Sequence, residues 1–148
     1  MYELKRAPRI KEQLKIGDEV IDVDIDVENT AVEFNKRRNA VIAAEQDIKK
    51  MRESGEESTA VLEKYGKAIT DMLVTVFGVD NTQKIVDFYE GRYIELTTEV
   101  FPFVINVIGP KMKSGIEDMR ERAASLYKSS QAAKLGLNRA TRRKYGIK

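Results

Sequence analysis

From Val27 to Tyr127 the large apolar residues recur at steps of three and four, and the breaks between runs fall on Gly or Pro. That period belongs to an α-helix with one buried stripe, so it dictates a mainly helical chain. The first run is Val27, Ala31, Phe34, Val41, Ala44, Ile48 and Met51, with Thr30 and Glu33 at capping-box spacing and a polar stop at Glu53-Ser54-Gly55. Ser58 opens a second, broader stripe of Leu62, Tyr65, Ile69, Met72, Leu73, Val76 and Phe77, closed by Gly78. Gly66 lies inside it at a cost of about 1 kcal/mol against Ala, which predicts a close helix contact. Asp80 is placed to cap a short helix carrying Ile85, Val86, Phe88 and Tyr89 and ending at Gly91. Tyr93 to Ile108 is the most hydrophobic segment, and Pro102 is expected to kink or divide it. Gly109-Pro110 is expected to break the chain before a last helix with Met112, Ile116, Met119, Ala123, Leu126 and Tyr127.

Residues 9–27 read differently. Ile21, Val23, Ile25 and Val27 alternate with Asp22, Asp24 and Asp26, which is the pattern of a half-buried strand. Ile10, Leu14 and Ile16 form the matching arm, and Gly17-Asp18 suits a two-residue turn with Gly at the first central position. The acids of this segment resemble a calcium loop in spacing, because Glu33 follows Asp22 by the distance an EF-hand requires. The sixth position, where that loop turns on Gly, is Val27, and the approach is a strand instead of a helix. A solvated strand face explains the same acids.

The chain has 148 residues, about one domain, and a hydrophobic fraction of 42% that can supply a core. Cys and His are absent, so the commonest nucleophile–base pairs and transition-metal ligand sets cannot be built. The carboxylates all fall on polar faces, and the nine glycines are scattered, most of them at element ends, with no glycine-rich phosphate loop. These features point to no catalytic, cofactor-binding or metal-binding residues. The start lacks a signal-peptide apolar run, and the longest apolar stretch, near Val100 to Ile108, is far short of the ~20 residues of a spanning helix. A net charge of +2 imposes no overall field for nucleic acid or membrane. The expected architecture is therefore a single helical domain over 1–128, with an N-terminal β-hairpin, and a flexible basic tail over 129–148.

Two regions point outward. From Arg122 onward there is no acidic residue, and Arg139, Arg142 and Arg143 cluster near the end. They suit phosphates, with Tyr145 placed to stack on a nucleic-acid base, although such runs more often solubilise a chain or meet a protein. The second region is aromatic: Phe88, Tyr89, Tyr93, Phe101 and Phe103 crowd segments apolar on more than one face, as at a fold centre or an interface. These eight residues are the expected partner contacts.

The run Ile69-Thr70-Asp71-Met72-Leu73, Val76-Phe77-Gly78, then Ile85-Val86-Asp87-Phe88-Tyr89 and Val100-Phe101-Pro102-Phe103-Val104 resembles tail-assembly chaperones of long-tailed, siphovirus-type phages and prophages of Gram-positive bacteria. The ending Asn138-Arg139-Ala140-Thr141-Arg142-Arg143 is similar to the basic ending common among them. The likeness covers the central and C-terminal two thirds and leaves the hairpin unmatched. It implies a protein of the bacterial cytoplasm that binds the tape-measure protein and helps recruit tail-tube subunits, with self-association as a further expectation. It also implies absence from the finished particle and a longer frameshifted product whose junction adjoins the basic tail. Two other classes fit the residues: a small nucleic-acid-binding accessory protein using that tail, and a structural tail or connector component of the virion.

Overall fold

The computed structural model describes the backbone of residues 1–144 and the side chains of residues 1–128. Among the described residues two strands and five α-helices follow one another: β1 Ile10–Ile16, β2 Glu19–Ile25, α1 Val27–Ser54, α2 Thr59–Phe77, α3 Val79–Phe88, α4 Tyr93–Phe103 and α5 Gly109–Lys144, with a π-helical turn at Val104–Ile108. The chain divides into two units, Met1–Met112 and Lys113–Lys148. The tail expected over 129–148, with Arg139, Arg142 and Arg143, lies outside the described side chains.

The hairpin forms as the alternation predicts. β1 and β2 pair antiparallel with Ile10 opposite Ile25, Leu14 opposite Ile21 and Ile16 opposite Glu19. Gly17 takes the positive φ of 56° that starts the turn. Ile21, Val23 and Ile25 are buried, whereas Asp22 and Asp24 face out. These acids serve the hairpin and the next helix. Gln13 Nε2 donates to Asp22 Oδ1 at 2.9 Å, and Arg9 Nε donates to Asp24 Oδ1 at 2.6 Å.

Asp26 corrects the helix start read from the sequence. Its carboxylate accepts the Asn29 N–H at 3.3 Å, and its carbonyl accepts Thr30 N–H at 3.0 Å. Asp26, and not Thr30, is therefore the N-cap of α1, because an extended residue with a short acceptor side chain satisfies the orphan N–H groups first. The third helix likewise starts at Val79, one residue before the expected Asp80 cap. Gly78 takes its N-cap position without a side-chain bond.

α2 is central and packs on α1, α3, α4 and β2. Ile69 and Leu73 on α2, Ile85 on α3, Leu96 on α4, Ile108 on the π turn and Met112 at the start of α5 are almost wholly buried. Gly66 marks a close contact, as its place in an apolar stripe suggests. A Cβ there would meet Tyr93 Cε2 at 3.1 Å.

The expected break at Gly109-Pro110 does not occur. α4, the π turn and α5 run on without a loop residue between them. Gly109 keeps helical dihedrals, and its N–H donates to the Val104 carbonyl five residues back. The widened turn absorbs the lost donor of Pro110, as single-turn π bulges do inside helices. Pro102 also stays inside α4, whose end passes directly into that turn. Lys111, on the first turn of α5, pairs with Glu12 of β1.

Candidate protein-binding groove

A concavity lies where α1 ends, α2 begins and α4 begins. It measures about 690 Å³. Ile48, Met51, Leu62, Tyr65 and Ile94 supply its apolar surface, and Glu45, Lys49, Arg52, Glu56 and Glu57 its rim. Leu62 and Ile94 are 44% and 58% exposed, although both are large and apolar.

Local chemistry builds this shape. Gly55, with φ of 70°, ends α1 and donates to the Arg52 carbonyl. The chain reverses in a few residues because Ser58 N–H donates to Met51 Sδ at 3.3 Å and Ser58 Oγ accepts the Val61 N–H. Lys64 Nζ meets Asp47 Oδ2 at 2.7 Å and joins α2 to α1. Lys64 holds the Asp47 carboxyl below the usual carboxylate range, chiefly by that hydrogen bond. On the far wall Tyr65 Oη donates to Thr97 Oγ1 at 3.2 Å, which fixes α2 to α4. The result is an apolar trough with mixed charge at its edge. Among the described residues no cluster of acids is arranged to hold a metal ion.

The predicted contact aromatics lie elsewhere. Phe101 is 7% exposed and belongs to the core. Phe103 is half-buried and stacks on Phe77 with centroids 6.0 Å apart. Tyr93 is half-buried against Gly66. Phe88 alone of the five is exposed, at 52%, set edge-on to Tyr89 with centroids 5.0 Å apart and close to Gly17 of the hairpin turn. Burial, with Glu99 and Glu95 nearby, pushes the Tyr89 hydroxyl up from its ordinary value. The five aromatics thus divide among the core, the α2 packing surface and one surface pair.

The groove is not legible in the sequence because its residues come from three element ends. Leu62 counts as core in a helical stripe, and only its place in the first turn of α2 signals that the stripe outruns its cover. No helix among the described residues is long and apolar enough to cross a membrane. Compared with known proteins, the chain matches no family model, no curated protein and no solved structure.

Proposed function

We propose that this chain binds other polypeptides, as a phage tail-assembly chaperone that holds the tape-measure protein and helps recruit tail-tube subunits in the bacterial cytoplasm. The observation that carries the binding role is the groove at the α1–α2–α4 junction, with Leu62 and Ile94 left exposed at it. A trough of apolar side chains with a charged rim suits the apolar face of an amphipathic helix, and an unassembled tape-measure chain exposes long faces of that kind. The partner's identity rests on the resemblance of the Phe77-Gly78, Phe88-Tyr89 and Phe101-Pro102-Phe103 segments and of the Arg139 to Arg143 ending to those chaperones.

The test is capture. The immobilised chain, and a Leu62→Asp/Ile94→Asp variant, are exposed to a bacterial lysate expressing late phage genes at moderate salt. Retention of a long helix-rich tape-measure protein by the first and not by the second is the expected result. Recovery of nucleic acid alone, with binding that falls steeply with salt, would favour the accessory-protein reading that the acid-free run after Arg122 supports. Recovery of nothing would remove the proposal.

A further inference from the structure

The second unit, Lys113–Lys148, consists of helix α5 beyond Met112 and the chain end. Ile116, Met119, Ala123 and Leu126 follow one another at steps of three, four and three. That is the spacing of a coiled-coil seam, with Ile116 and Ala123 at the first heptad position and Met119 and Leu126 at the fourth. The sequence keeps the register through Ser130, Ala133, Leu137 and Ala140, over backbone that is helical to Lys144. Leu126 is 74% exposed and the adjoining Tyr127 66%. A helix in a protein gains most of its stability from packing its apolar face.

The charges flanking the seam choose the occupant. The positions beside a heptad seam hold Lys113, Arg120, Arg122, Lys134 and Arg143, and none holds an acid. The three acids of the unit, Glu117, Asp118 and Glu121, all fall on the outer positions. Asp118 meets Arg122 at 3.0 Å along the helix, but both are exposed, so the pair does little to mask the cation. A second copy laid seam to seam offers these cations no acid: in parallel, Arg120, Arg122 and Lys134 would face Gly115, Tyr127 and Ser129, and in the antiparallel orientation a cation can meet only another cation or a neutral residue. Cations left without an acid across a helix interface do not favour that partner, and opposite charges select for another.

We propose that this seam docks a helix of another protein whose own apolar heptad is flanked by acidic residues. The proposal deepens the reading of the chain as a binder of helical polypeptides and rests on it, but not on the groove. In the sequence alanine and serine hold half of the seam positions, which limits the apolar area a partner can bury and suits one that must be released.

The test uses the full chain and two synthetic peptides of about four heptads with the same seam, one with Glu and one with Lys at every flanking position. Fluorescence anisotropy should show the Glu peptide binding at least about tenfold tighter at low salt, with the preference shrinking as salt rises. Leu126→Asp should abolish binding without moving the thermal midpoint of the Met1–Met112 unit, and Arg120→Glu/Arg122→Glu should shift the preference toward the Lys peptide. Equal binding of both peptides, binding of neither, displacement of the Glu peptide by mixed-sequence DNA, or self-association that Leu126→Asp abolishes would each overturn it. Failure here, with lysate capture through the groove intact, removes the seam alone. Loss of lysate capture, with peptide binding intact, removes the tail-assembly reading alone.

Discussion

Two residues sit in places their chemistry does not favour, and each makes a stability prediction. Thr82, in the first turn of α3, is 3% exposed and its hydroxyl has no hydrogen-bond partner among the described residues. A buried unpaired hydroxyl costs about 1–3 kcal/mol, whereas a methyl of the same shape costs nothing in desolvation. Thr82→Val should therefore stabilise the chain by about 1 kcal/mol, a rise of about 2–4 °C in Tm for a chain of this size. An unchanged or lower Tm would show the hydroxyl to be satisfied. Glu90 closes α3 with φ of 53°. Gly91 N–H reaches the Val86 carbonyl at 3.0 Å and Glu90 N–H the Asp87 carbonyl at 3.1 Å, which is the Schellman arrangement with Glu in the place Gly prefers. Glu90→Gly relieves left-handed strain at the loss of one exposed pair to Arg92, so it should add about 0.5–1 kcal/mol in urea denaturation.

Elements differ in how much of themselves the sequence reveals. The hairpin is legible because period-two alternation and Gly17 agree on one register, and α2 because its stripe is broad and closed by Gly78. The start of α1 is less so, since Asp26 is equally a strand acid and a cap, and only the chain direction at Val27 decides. The π turn is hidden, because Gly-Pro reads as a break whenever the i→i+4 ladder is assumed. The groove is hidden for a different reason: Ile48, Leu62 and Ile94 meet only after three helices are placed. Contacts between elements carry two further expectations. Gly66→Leu drives a side chain into the Tyr93 ring and should cost about 1–3 kcal/mol, read as a lower urea midpoint. For Gly66→Ala, a gain of about 1 kcal/mol in helix propensity offsets the 3.1 Å contact, so the loss should be smaller. Asp47, held below its ordinary 3.8 by Lys64, gives stability that is present above that value and is lost as pH falls through the folded one. Asp47→Asn should flatten the acid limb of Tm against pH. Tyr89, raised from its ordinary 10.0, gives stability that is present below that value and is lost as pH rises through the folded one, so Tyr89→Phe should flatten the alkaline limb.

At the scale of the whole molecule the two units differ in what holds them. Ile69, Leu73, Ile85 and Leu96 in Met1–Met112 are fully buried, so their amides open only with the fold. From Glu117 to Lys128 every side chain but Met119 is exposed, and the backbone there is held by helical hydrogen bonds alone. Hydrogen exchange should therefore report two groups of amides: a slow one in α2, α3 and α4, and a fast one from Ile116 to Lys128 that opens locally. Adding the Glu-flanked peptide at about a hundred times its Kd should slow the fast group about a hundredfold, because the ligand holds only the closed helix. The slow group should hardly move. If protection appeared instead around Ile48 to Leu62, the acidic helix would be lying in the groove, and one site rather than two would serve this chain's partners.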